Sequence, residues 1–348
     1  MMYRDWQGFC LCSEKEEYFP CDSVPVPVPH APLVLLVQQP PLSSRGLYAI
    51  HQPEELTESA GLQCLLPCRG TSPVLPAELK VCITEHGATV LNVAFGNAFR
   101  VLKTLLQRKT SGLHITLAGL GDVGGTVLTG LKLLGYEISE ISIFDPYAPL
   151  CQRYEMELNQ ILPLEDGQSM PQITVCSEER LFDCDVFIFT ASCGVPPLNS
   201  GIQDVRMAQY EANRALLHNY AQKARQANFH GLFCQISDPV DHLARSVFLS
   251  SNQYENGTLD FSGFLPEQVQ GFGLGVMAAR AAYMAQKACI DFSHGRLYGP
   301  HGAGLVVANS CGSDYNDDLS RLLTAQTVQA NLMVRELGFK PYIAPGLS

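Results

Sequence analysis

Gly119-Leu-Gly-Asp-Val-Gly124 combines residue types and a spacing that suit a diphosphate. An apolar run, Ile115-Thr-Leu-Ala118, precedes it, an apolar-periodic run ending at Gly135 follows, and Ile141-Ser-Ile-Phe-Asp145 comes next. This order predicts strand, glycine turn, helix, strand and acid. Glycines at 119 and 121 let the backbone turn tightly and approach a pyrophosphate lying on a helix N-terminus, with Gly124 completing the pattern. Asp145 stands where an acid accepts hydrogen bonds from the adenosine ribose hydroxyls. A carboxylate there repels a 2′-phosphate, and no arginine accompanies Pro146 and Tyr147, so the reading is NAD over NADP. The alternatives are a glycine turn that binds nothing and an Asp145 that only ends a strand before proline.

The elements that must position these residues alternate strand and helix from 112 to about 270, as a parallel sheet with crossovers requires. Asp185-Val-Phe-Ile-Phe-Thr190 reads as a strand of a sheet covered on both faces, and Leu232-Phe-Cys-Gln-Ile236 as the next strand. Ligands bind beyond the carboxyl ends of such strands, which is where Thr190, Ala191, Ser237 and Asp238 fall. A long helix is predicted over roughly 205–226. Beyond 271, helices are expected around 276–289 and 320–337, with a short strand, Arg296-Leu-Tyr298, leading into Gly299-Pro-His-Gly302. Residues 1–111 form an N-terminal appendage whose role the sequence does not reveal. Within it Val24-Pro-Val-Pro-Val-Pro-His-Ala-Pro32 is extended, 80–93 reads as a hairpin turning at Glu85-His-Gly87, and Asn97 starts a helix with Val101, Leu102, Leu105 and Leu106 on one face and Arg108 and Lys109 at its end.

The chain has 348 residues, 46% of them hydrophobic, and a formal net charge of -11. Without a Lys/Arg-rich run, nucleic acid and anionic membrane are poor partners. Apolar stretches such as Leu33-Val-Leu-Leu-Val37 are too short to span a bilayer, and Met1-Met-Tyr-Arg-Asp-Trp6 lacks the apolar core of a secretory signal. Thirteen scattered cysteines, several in apparent core strands (Cys184, Cys234), read as reduced cytoplasmic thiols. Cys10, Cys12, Cys21, Cys64 and Cys68 crowd the first fifth, but their spacings do not form two paired zinc knuckles, so no metal site is expected.

From His114 to Ser348 the chain resembles the NAD-dependent L-lactate/malate dehydrogenase family. The resemblance is carried, in order, by the glycine turn with Asp145, Arg206 with Asn213, Ser237-Asp-Pro-Val-Asp241, Gly273 through Arg280, and Gly299-Pro-His-Gly302. It implies a Rossmann-type doubly wound α/β domain over 112–270 and a smaller α+β substrate domain over 271–348. It implies a homo-oligomer, and hydride transfer between nicotinamide and a 2-hydroxy or 2-oxo acid. His301 matches the histidine that exchanges the hydroxyl proton, Arg280 the arginine that forks onto the substrate carboxylate, and Arg206 the loop arginine that polarises the carbonyl. Read alone, these are a turn residue, an ion-pair member and a solvated residue at a helix start. The implied cofactor set is Gly119, Gly121, Asp122, Val123, Gly124, Asp145, Thr190, Ala191, Asn213, Ser237 and Asp238.

Three departures shape the expectation. Met277 stands where the family places the aspartate that orients the histidine. Asp238 replaces the family's asparagine; its anion either repels a carboxylate substrate or supplies the acid that Met277 removes. The 195–205 segment lacks the second arginine of malate-type enzymes, which favours a monocarboxylate. The chain also stops short of the family's C-terminal strands and helix. The expected activity is that of a 2-hydroxy acid dehydrogenase. The alternative is a catalytically impaired dinucleotide-binding protein with a sensing or assembly role.

Overall fold

The computed structural model describes residues 1–57, 74–106, 112–163, 169–193, 205–254, 256–302 and 304–348, with backbone alone at 105–106 and 205–208. Packing groups the chain into two units, Met1–Arg108 with Phe248–Gln268, and Lys109–Val247 with Val269–Ser348. Residues 248–268, expected with the dinucleotide domain, thus fall in the first unit. Residues 271–348 share the second with the parallel sheet.

The first unit carries strands β1 (Met2–Trp6), β2 (Phe9–Ser13), β3 (Val24–Pro25), β4 (Leu33–Val37), β5 (Leu47–Ile50) and β6 (Ala88–Asn92), with helices α1 (Ala77–His86) and α2 (Ala98–Leu106). The sheet order is β3-β1-β2-β4-β6-β5. The appendage therefore has a sheet of its own, which its proline-rich composition concealed. The hairpin expected over 80–93 is replaced by α1 followed by β6. Leu79, Cys82 and Ile83 are buried at helical spacing, and this outweighs the local alternation. Gly87, at φ 72, ends the helix and does not turn a hairpin. Segment 248–268 is held within this unit by polar side chains. Asn252 is fully buried and donates from Nδ2 to the carbonyls of Phe248 and Phe264. Asn97 donates to the carbonyls of Ser262 and Gly263.

The second unit is built on β7 (Leu113–Ala118), β8 (Ile138–Phe144), β9 (Gln172–Val175), β10 (Val186–Phe189), β11 (Leu232–Gln235) and β12 (Val269–Gly271), in the order β12-β11-β10-β7-β8-β9. Every neighbouring pair is parallel. Helices α3 (Asp122–Leu134), α4 (Ala148–Asn159), α5 (Val205–Gln226) and α6 (Val240–Ser251) supply the crossovers. Alternate strand residues serve opposite faces. Leu117, Ile141, Ile143 and Ile188 meet Leu128, Cys151 and Leu158. On the other side Phe187 and Phe189 stack with Tyr220 of α5. The chain reverses its winding between β9 and β10, so β7 and β10 become neighbours and their carboxyl ends flank the switch point where ligands enter such sheets. After β12 come α7 (Leu274–Lys287), the antiparallel β13 (Arg296–Tyr298) and β14 (Val306–Ala308), α8 (Asp317–Glu336) and α9 (Ile343–Leu347). Met277, Ala281, Met284, Leu305, Val307 and Leu323 form their shared core. Among the described residues no helix is long and apolar enough to cross a membrane.

The turn between β7 and α3 is sterically closed around Gly124. A Cβ there would lie 1.9 Å from the Gly119 carbonyl oxygen and 2.6 Å from Thr190 Oγ1. Gly124→Ala is expected to lower stability by about 1–3 kcal/mol through forced backbone displacement, read as a fall in the urea midpoint at unchanged slope.

Candidate active site

The glycine turn begins where β7 ends. Gly119 adopts φ 100, a region open to glycine at no cost, and a Cβ on it would meet Ala191 N at 2.4 Å. Gly121 caps α3, and a Cβ there would meet nothing within 4 Å. The turn thus presents free space in front of a helix N-terminus, which suits close approach by an anion. Asp145, just beyond β8, accepts Leu120 N–H on Oδ2 and Tyr147 N–H on Oδ1, each at 2.9 Å. Each oxygen keeps a second acceptor site for a sugar hydroxyl. A cavity of about 700 Å³ opens beside it, lined by Phe144, Asp145, Pro146, Val175 and Tyr220 among others. The donor set and the space therefore fit a dinucleotide.

Three residues of the implied cofactor set, Thr190, Ser237 and Asn213, brace the turn or its neighbours. Thr190 Oγ1 donates to the Gly119 carbonyl (2.6 Å). Ser237 Oγ donates to the Ala191 carbonyl (2.6 Å). Asn213, fully buried in α5, accepts Cys193 N–H on Oδ1 and donates from Nδ2 to the Asp238 carbonyl, both at 2.8 Å. The ends of β7, β10 and β11 are thereby stitched together by side chains bonded to main chain. Asp122 opens α3 with its carboxylate 2.7 Å from Lys340 Nζ, and Val123 packs partly buried against the sheet core.

His301 is seated by three contacts. Its N–H donates to Asp241 Oδ2 (2.9 Å), its Nδ1 lies 2.8 Å from the Gly273 carbonyl, and its Nε2 lies 3.7 Å from Asp238 Oδ1. A carbonyl only accepts, so Nδ1 carries a proton and Nε2 is the nitrogen that gains or loses one. Gly273 leaves room for the ring; a Cβ there would lie 2.7 Å from His301 Cβ. Arg280 is half-buried on α7, with Nη1 3.3 Å from Met277 Sδ. Burial lowers the Arg280 pKa from its ordinary value, and the Asp238 charge works against that. Met277 thus contacts the arginine, and the Gly273 carbonyl orients the imidazole. Arg206 is the second residue of α5, and its side chain lies outside the described residues, as do 195–204, Cys64 and Cys68. Asp241 and Gly273 belong to segments that the sequence flagged, yet their contacts with His301 join residues far apart in the chain.

No protein-family profile matches the chain, and no curated protein matches it. Solved structures do. The minor L-lactate dehydrogenase from Enterococcus mundtii aligns with a TM-score of 0.54 at 18% identity, over 69% of this chain and 75% of that one. MGS-M5, a lactate dehydrogenase from a Medee basin deep-sea metagenome library, aligns at 0.53 and 19%, over 68% and 75%. The malate dehydrogenase from Archaeoglobus fulgidus, solved in complex with NADH, aligns at 0.53 and 17%, over 68% and 74%. The fold is that of the lactate and malate dehydrogenases. On this dehydrogenase fold, the glycine turn and the imidazole loop are both tied to the carboxyl ends of the parallel strands.

Asn213 is the brace with most to lose. Asn213→Ala removes a buried amide and both of its main-chain bonds, leaving the Cys193 N–H and the Asp238 carbonyl, which belong to exposed residues, to water. It is expected to cost about 1–3 kcal/mol, measured by urea unfolding, with the residual fold retained by circular dichroism.

Proposed function

We propose that this protein is a member of the lactate/malate dehydrogenase family and an NAD-dependent oxidoreductase of 2-hydroxy and 2-oxo monocarboxylic acids, acting in the cytosol. The observation that carries this reading is the approach of His301 Nε2 to the Asp238 carboxylate, 3.7 Å apart at the end of β11, on the sheet edge that also bears the glycine turn and Asp145, with the Asp238 charge also acting on Arg280. Arg280 would bind the substrate carboxylate as a planar fork. His301 would take the hydroxyl proton on Nε2 during oxidation and return it during reduction. Asp238 would stabilise the imidazolium so formed. Arg206 would polarise the carbonyl. Gly119, Gly121 and Gly124 would admit the diphosphate, and Asp145 would take the adenosine ribose. When bound, the nicotinamide accepts or returns the hydride at C2 of the acid.

Met277 and Asp238 also support a second reading, a dinucleotide-binding protein with little turnover. Met277 offers the imidazole no charge, and Asp238 brings a carboxylate toward the site meant for one. Turnover separates the two. NADH oxidation across a panel of 2-oxo acids is expected for the parent, greatest for monocarboxylates, and His301→Asn should reduce it by about 10²- to 10⁴-fold. NADH binding without oxidation by any 2-oxo acid would favour the second reading. Asp238→Asn is expected to lower kcat; an unchanged rate would remove Asp238 from the proton-transfer pair.

A further inference from the structure

The diphosphate end of the proposed cofactor site has an unusual charge balance. From Gly112 to Leu131 the chain contains no lysine or arginine, while Asp122 sits on the first turn of α3. A carboxylate there suits the helix dipole, but it also adds a negative charge directly after Gly121, at the turn that an anionic ligand would approach. Lys132, the first lysine after the turn, is buried and donates to the Pro171 carbonyl at 2.8 Å.

The compensating cation comes from the other end of the chain. Lys340 Nζ lies 2.7 Å from Asp122 Oδ2. The segment that carries it is seated along α3. A Cβ on Gly346 would lie 2.5 Å from Thr126 Cβ and 3.2 Å from the Val123 carbonyl, so glycine lets the backbone of α9 approach closely. Leu347 reaches Gly130, where a Cβ would come within 2.9 Å of its Cδ2. Both partners of the ion pair are well exposed, with side-chain accessibilities of 70% and 49%. Such a pair adds little to stability.

We propose that Lys340 is a binding residue for the diphosphate of the dinucleotide, cancelling the Asp122 carboxylate and presenting its ammonium beside the α3 N-terminus. The 340–348 segment then sets cofactor affinity by delivering that charge. This inference rests on the dinucleotide reading of the glycine turn.

The test compares NADH dissociation constants, from the fluorescence of bound NADH, for the parent, Lys340→Met, Lys340→Arg and the Asp122→Asn/Lys340→Met double variant at low and high salt. Adenosine serves as a phosphate-free probe by calorimetry. Lys340→Met is expected to raise the NADH constant about 3- to 10-fold at low salt, with the difference shrinking at high salt. Lys340→Arg should stay near the parent, the double variant should recover part of the loss, and adenosine affinity should not move. Gly346→Val, which drives a side chain into α3 and lifts the segment, should reproduce the salt-dependent loss by a second route. Equal NADH constants for the parent and both lesions would overturn the inference and leave the dinucleotide reading intact. So would a loss shared by adenosine and insensitive to salt, which marks a structural role alone. A parent that binds neither NADH nor adenosine would overturn both.

Discussion

The site depends on one buried amide. Asn213 reaches from α5 to the chain after β10 with its oxygen and to the chain after β11 with its nitrogen. An amide carries a donor and an acceptor on one planar group, so it accepts an N–H from one main-chain segment while donating to the carbonyl of another. Thr190 and Ser237 extend the same logic to the glycine turn and to Ala191. The strand ends are therefore held together by part-buried bonds from side chain to main chain, each adding a modest net stabilisation of about 0.5–1.5 kcal/mol. A parallel sheet supplies rough placement of its loops; these braces refine it to the tolerance that chemistry needs.

The charged groups at the end of β11 are arranged on that frame. Arg280 is partly withdrawn from water, with the Asp238 carboxylate as its electrostatic counterweight. The same carboxylate faces His301 Nε2. One acid therefore acts on two cationic or potentially cationic groups, His301 at 3.7 Å and Arg280 through its charge. This charge economy differs from the family pattern, in which the acid comes from α7 and the strand end is neutral. Here the α7 position holds Met277, whose sulfur lies against the guanidinium.

Much of this was legible in the sequence because it is local. The glycine turn, β8 ending at Asp145 and the long α5 follow from residue types a few positions apart, and they match the structure closely. The appendage was not legible. Its sheet pairs β2 with β4 and β4 with β6, contacts that no short-range period announces. At α1 two periods competed, and the burial of Leu79, Cys82 and Ile83 decided for the helix. In the site, residue identities were readable but partners were not. Thr190, Ser237 and Asn213 bond to main chain, and those partners have no signature in the local sequence. The partners of His301 lie 28 and 60 positions away.

The His301 ring is oriented by main chain and not by a second side chain's charge. A histidine held by an aspartate depends on a residue that one codon change can remove and that acid can protonate. A histidine held by the carbonyl of Gly273 depends on neither, since every amino acid carries that oxygen and it does not titrate at any physiological pH. The vulnerability moves to the empty side of the glycine, where a Cβ would collide with the ring. Met277 accordingly follows the packing of α7, where it is buried, while position 273 carries the steric demand of the imidazole.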